Sequence, residues 1–362
     1  MTPHAALGFA CLCSASLACT KVPHHPDRDP PANTSDAEVE PAAVGEDPES
    51  SAADDESGGK VVDASAEEDA GPSPLRHQAR FPCADDRFAT SMVDVGELNL
   101  QVACQGSGPA IVFLHGYPEL HLAWTELAAP LAAAGFRVIA PDQRGYNLSD
   151  KPNEVDAYLV DHLVSDLEGL IEASGERQVL LVGHDWGGLV AFVYAHRHPE
   201  RLRGLVVMNG PHPDIWGHPE VDSVQAQASA NYVPLVSGPL ADFALGFVEL
   251  QLGPHLSPAE RDAYHAAWGQ PDVVASMSKW FQANLEPEVR LPTGVTITTP
   301  TLVLWGLDDS FVTASQLDHL PDYVEHLQVK RFAGVDHWIT HQISDELLHA
   351  LRDFEASLRW QD

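Results

Sequence analysis

The sequence predicts an α/β protein: a mostly parallel sheet flanked by helices on both faces, with a helical domain inserted between its later strands. Three observations lead there. Apolar runs at 110–114, 137–140, 178–182, 204–208, 301–304 and 327–332 alternate with helix-like segments, and such alternation implies parallel strands joined by helical crossovers. The interruption between 208 and 301 is too long for one crossover. At 183–188 the chain reads Gly-His-Asp-Trp-Gly-Gly directly after Val179-Leu180-Leu181-Val182. This is the form of a strand that turns sharply into a helix and exposes its central side chain at the sheet's carboxyl edge.

Taken in chain order, the first 19 residues carry no charged side chain apart from His4 and are rich in Ala, Leu and Cys. They are too short to span a bilayer and predict a secretory signal, so the protein is expected to be exported. Ser16-Leu17-Ala18-Cys19 loosely resembles a bacterial lipoprotein processing site, which would make Cys19 a lipidated first residue and the cell envelope the destination. Residues 20–80 hold 15 acidic and 5 basic residues and no Phe, Trp or Tyr. Such a stretch buries too little apolar surface to offset its ordering entropy, and it predicts a disordered acidic linker. The rest of the chain still has 38 acidic against 15 basic residues, within a net charge of −33. A surface this negative disfavours nucleic acid and anionic lipid as partners.

The folded part is expected from residue 81, with core segments 81–213 and 291–362 around an insertion at 214–290. Met92–Val95 and Leu98–Cys104 form a predicted hairpin with Gly96 in its turn. With Cys11, Cys13 and Cys19 in the signal, Cys83 and Cys104 remain; they are either a disulfide suited to an exported protein or two unrelated thiols. Asp161–Ala173 puts Leu163, Leu167, Leu170 and Ile171 on one helical face, and Leu347, Leu351, Phe354 and Leu358 define the last helix. Inside the insertion, Ser257-Pro258-Ala259-Glu260 is a capping box with Pro at the first helical position. Pro271 is expected to open a second helix carrying Val273, Met277, Trp280 or Phe281, and Asn284.

The chemistry turns on Asp185 at the centre of the elbow. A carboxylate is ionised at neutral pH and can displace a leaving group at saturated carbon, leaving an ester on the protein. Turnover then needs water, a histidine base, an acid to orient it, and amide donors for the tetrahedral oxyanion. The acid is expected in 301–309, where a buried-strand run stops at Gly306; Asp309 is preferred to Asp308. The base is His337, in a loop after the short strand ending near Phe332. The two oxyanion donors are the backbone N–H groups of Trp186 and of Tyr117, in the His115-Gly116-Tyr117-Pro118 loop after Ile111–Leu114. The order nucleophile, acid, histidine marks the α/β-hydrolase arrangement. His115 reads as a brace for the oxyanion loop. His337 and His341 lie four apart, but no third ligand accompanies them, so no metal is expected.

From about residue 90 to the end, these motifs resemble the epoxide hydrolase branch of the α/β-hydrolase superfamily, joined by Pro141-Asp142-Gln143-Arg144-Gly145-Tyr146 and Asn209-Gly210-Pro211-His212-Pro213. The resemblance implies a helical cap over 214–290, no cofactor, and a small-molecule epoxide or related electrophile opened to a vicinal diol. It also implies two cap tyrosines that donate to the epoxide oxygen. Tyr232 matches the first; the second position carries Phe281, which has no proton to give. The implied pocket comprises Trp186, Phe281, Trp280 and Trp338. Trp186 is either a pocket wall or, as in the related haloalkane dehalogenases, a halide donor; Trp280, on an apolar helix face, is preferred as core. Two other readings stay open: hydrolytic dehalogenation by the same two-step route, and a non-catalytic surface protein on this fold.

Overall fold

Eight strands form one sheet: β1 (Ala89–Asp94), β2 (Asn99–Gln105), β3 (Ala110–Leu114), β4 (Arg137–Asp142), β5 (Val179–His184), β6 (Leu202–Met208), β7 (Thr301–Gly306) and β8 (Leu327–Phe332). They come from a computed structural model that describes residues 81–216, 218–285 and 291–358; the signal, Cys19 and the acidic linker lie outside the described residues. The spatial order is β1-β2-β4-β3-β5-β6-β7-β8. β1 and β2 are an antiparallel hairpin, β2 pairs antiparallel with β4, and every later pairing is parallel. Strands β3 to β7 are buried at every position. That explains their continuous apolar runs, since a parallel strand covered on both faces has no solvent side.

Among the described residues ten α-helices complete the fold: α1 (Thr125–Ala133), α2 (Val160–Ser174), α3 (Trp186–Arg197), α4 (Pro213–Trp216), α5 (Ser223–Val236), α6 (Ala241–Leu252), α7 (Pro258–Trp268), α8 (Val273–Leu285), α9 (Ile339–Gln342) and α10 (Ser344–Ser357). Strand alternation divides the core between two faces. Ile111, Phe113, Leu180, Val182, Val206 and Leu302 pack with Leu127 and Leu131 of α1 and Leu347, Leu351 and Phe354 of α10. Val112, Leu114, Leu181, Val207 and Val303 pack with Leu163, Leu167 and Leu170 of α2 and with α3. The α2 helix stops at Gly175, whose φ of 75° is the left-handed conformation that ends helices.

Helices α4 to α8 all fall between β6 and β7 and form the inserted cap. Ser257 and Glu260 make the reciprocal capping box at the start of α7. The next helix begins at Val273 rather than at Pro271, because Asp272 has a φ of 63° and breaks the helical path. Polar contacts tie the cap to the core, among them the Trp268 indole, which donates to the Pro118 carbonyl at 2.8 Å, and the Trp280 indole, which donates to the Arg144 carbonyl at 3.0 Å. Asn284 accepts from the Val160 N–H at 2.9 Å and donates to the Tyr158 carbonyl at 2.8 Å, capping α2 from outside. Among the described residues, no helix is long and apolar enough to cross a membrane.

Cys83 and Cys104 are joined as a disulfide, with Cα atoms 4.8 Å apart and a sequence separation of 21 residues. By the loop-entropy relation a crosslink of this span stabilises by about 3 kcal/mol. Reduction, or the Cys83→Ser/Cys104→Ser double variant, is therefore expected to lower the urea midpoint. An unchanged midpoint would show that the bond contributes nothing to the fold.

Candidate active site

The elbow is built by steric necessity. β5 ends at His184, α3 begins at Trp186, and Asp185 between them has φ 50° and ψ −120°, a strained conformation of the kind concentrated at functional sites. Only glycine fits beside it: a Cβ on Gly183 would lie 2.3 Å from the Gly187 carbonyl oxygen, and one on Gly116 would lie 2.4 Å from the Asp185 Cβ. The nucleophile turn and the loop after β3 are thus pressed together. The Tyr117 N–H consequently donates to Asp185 Oδ2 at 2.8 Å, and the Trp186 amide also bonds the Asp185 carboxylate.

His337 enters from the loop after β8. Its Nδ1 lies 2.8 Å from Asp309 Oδ2, and its Nε2 lies 3.9 Å from Asp185 Oδ1. Asp309 is buried whereas Asp308 is exposed. The Asp309 carboxylate accepts from the Asn209 side chain at 2.7 Å, the Phe311 N–H at 2.7 Å and the Val312 N–H at 2.9 Å, which fixes it as an acceptor for the imidazole. Burial would lower the His337 pKa, but Asp309, through charge and hydrogen bond, and the charges of Asp185 and Glu119 outweigh it and raise the pKa to about 9. The Asp185 pKa is raised as well: burial lifts it above the usual aspartate value, against the opposing pull of His337, His184 and the two amides.

Two supporting groups escaped the sequence reading. Asn209, at the end of β6, holds both Gly306 and Asp309. Glu119 is fully buried, with Oε2 2.9 Å from His184 Nδ1 and Oε1 2.6 Å from His341 Nε2, while His184 Nε2–H donates to the His337 carbonyl at 2.9 Å. Burial alone would raise the Glu119 pKa; its bonds to the two histidines reverse that and hold it below the carboxylate range. The only hint in the sequence was that Asn209 and His184 stand within quoted motifs and Glu119 directly after one. His115 accepts the Gln143 N–H at 3.1 Å and bonds the Gly116 carbonyl at 2.9 Å, clamping the oxyanion loop to the loop after β4.

Aromatic rings surround the carboxylate. Tyr232, on α5, meets Phe311 edge-on at 5.3 Å, and Phe311 meets His337 at 5.1 Å. Burial and the charges of Asp185 and Asp309 push the Tyr232 hydroxyl well above its ordinary pKa, so it stays protonated. Phe281 packs edge-on against Trp186 at 5.1 Å and Tyr117 at 5.2 Å. The structure thus brings together Asp185, Asp309, His337, Tyr117, Trp186, Tyr232 and Phe281. Trp338 flanks the imidazole at 5.0 Å. Trp280 lies behind Trp186 at 5.6 Å, fully buried, its indole N–H engaged by Arg144.

The strand order, the strained elbow and the Asp–His–Asp constellation define an α/β-hydrolase-fold enzyme with a carboxylate at the nucleophile position. A family model described as alpha/beta hydrolase fold matches residues 109–342. The AB hydrolase superfamily protein YfhM of Bacillus subtilis is 32% identical over 271 residues, covering 71% of this chain and 94% of its own length. Epoxide hydrolase 3 of Xenopus tropicalis is 30% identical over 270 residues, covering 68% of this chain and 71% of its own. The crystal structure of a Bacillus megaterium epoxide hydrolase in complex with an inhibitor superposes with a TM-score of 0.68 at 27% identity, over 74% of this chain and 100% of that one. The chain belongs to the epoxide hydrolase branch of the α/β-hydrolase superfamily.

Proposed function

We propose that the protein hydrolyses epoxides to vicinal diols through an ester formed on Asp185. The observation that carries this is the division of labour between the two Asp185 oxygens. Oδ2 is held by the Tyr117 N–H at 2.8 Å, and Oδ1 faces His337 Nε2 at 3.9 Å. Attack on a ring carbon by Oδ1 breaks the ring C–O bond, and Tyr232 protonates the oxygen released. The ester carbonyl oxygen is then already seated on the Tyr117 amide, with the Trp186 amide adjoining the same carboxyl group. His337, held by Asp309, takes a proton from water as that water adds to the ester carbon. Esterification also removes the Asp185 charge, one of those that raise the His337 pKa. The base therefore holds its proton less tightly at the step that needs it free.

Epoxide hydrolases among the relatives and solved structures support this substrate class. One observation favours halide release instead: the Trp186 indole N–H is buried without a partner. A halide would lack a second indole donor, however, since the Trp280 indole is committed to the Arg144 carbonyl. An epoxide oxygen is better served by a tyrosine. We further propose export to the cell envelope with anchoring through Cys19; the disulfide is the described feature that favours an oxidising compartment.

A single turnover in oxygen-18 water tests the chemistry. The expected result is an unlabelled diol, no halide release, and heavy oxygen in the Asp185 peptide. Label in the first diol would mean that water attacks the ring directly.

A further inference from the structure

The side chain of Tyr117 is unexplained by its backbone role. The residue is 7% exposed, and its hydroxyl has no hydrogen-bond partner. Buried hydroxyls of tyrosine are ordinarily paired, so an orphan one on the residue whose own amide holds the reacting carboxylate is a donor free for an acceptor that substrate can supply. Its position fits that acceptor. The Tyr117 amide touches Asp185 Oδ2 at 2.8 Å, and its ring meets Phe281 edge-on at 5.2 Å, while Phe281 leans on Trp186 at 5.1 Å. Tyr232 packs on Phe311, which packs on His337, so the two tyrosines stand on different sides of the site. Phe281, between Tyr117 and Trp186, offers no proton.

We infer that the Tyr117 hydroxyl is a second proton donor to the opening epoxide, acting with Tyr232 and filling the role that Phe281 cannot. The inference rests on the epoxide reading proposed above. As Asp185 forms its bond to carbon, the electron pair of the breaking C–O bond passes to the epoxide oxygen, which takes a proton from one tyrosine and a hydrogen bond from the other. When water adds to the ester, His337 takes one water proton and returns it to the departing diol oxygen. The proton left on the regenerated Asp185 carboxyl restores the tyrosine. Burial and the charges of Asp242 and Asp185 hold the Tyr117 hydroxyl protonated in the resting enzyme. Because ester formation consumes the Asp185 charge, the hydroxyl becomes more acidic as the alkoxide appears.

The test is rapid-quench measurement, on the full chain, of ester formation and ester hydrolysis with styrene oxide. Tyr117→Phe is expected to slow ester formation about tenfold or more, to change ester hydrolysis less than about twofold, and to leave the melting temperature undiminished, because the lost hydroxyl has no partner. Adding Phe281→Tyr to Tyr117→Phe should restore ring opening, whereas Phe281→Tyr alone should gain little. Ester formation at the wild-type rate in Tyr117→Phe overturns the inference and leaves the epoxide reading standing. An equal loss in both steps also overturns it, since that marks a displaced oxyanion loop. Failure of the wild-type protein to form any ester removes the epoxide reading, and this inference with it.

Discussion

Asp185→Ala will lower kcat on epoxides by about ten-thousand-fold or more, to the level of buffer. The size follows from the lack of a substitute. A base-only route, in which His337 activates water directly against the ring, would survive this change with appreciable rate, because His337 keeps its bond to Asp309 at 2.8 Å. In the ester route, no described carboxylate can take over. Asp309 is saturated by Asn209, Phe311, Val312 and His337, and Glu119 by His184 and His341. The same dependence sets the acid limb of the wild-type profile. Attack needs the ionised carboxylate, and burial raises the Asp185 pKa above the usual aspartate value. Activity is therefore lost as pH falls through a point higher than an exposed aspartate would give. Steady-state rates of the wild type and the variant across a pH series check both statements; residual turnover of the variant within about a hundredfold of wild type would reject the covalent route.

Much of this arrangement is written locally. Gly183 and Gly187 are read directly because a tight elbow tolerates nothing larger, and the wholly apolar strands announce a sheet covered on both sides. Asp309 separates from Asp308 because one turns inward beyond the strand end and the other outward. Partnerships made across the sheet are not local. Asn209 meets Gly306 and Asp309 because β6 and β7 are neighbours, at sequence separations of 97 and 100; no spacing rule reports that. Glu119 reaches His341 across 222 residues. The fate of an indole or a phenol is equally invisible. Trp280 is spent on a carbonyl of the core, and Tyr117 is left unpaired, for reasons that only packing supplies. The helix after Asp272 fails to start at Pro271 because one backbone angle overrides a sound propensity argument.

His337→Gln carries the other large effect and separates the two chemical steps. Ring opening needs Asp185 and a proton donor, neither of which is His337; ester hydrolysis needs the imidazole. The variant is expected to form one equivalent of ester per protein and stop, with turnover lowered about a thousandfold or more. Intact-protein mass spectrometry after mixing with substrate should therefore find the protein heavier by one substrate molecule. A variant that turns over without accumulating ester would assign the base elsewhere. The substitution also has a signature in stability. In the folded protein the His337 pKa is raised from 6.5 to about 9, so its pairing with Asp309 and Asp185 contributes stability that is complete below pH about 6.5 and is lost as pH rises through about 9. Urea unfolding should show the wild type weakening across that interval more than His337→Gln. After esterification Asp185 is neutral and the imidazole loses part of what holds its proton, so the hydrolysis step should titrate below the value of the resting enzyme. The same residue is thus expected to give two different pKa values, one from unfolding of the free protein and a lower one from decay of the trapped wild-type ester. A single shared value would mean that Asp185 does not carry the bond.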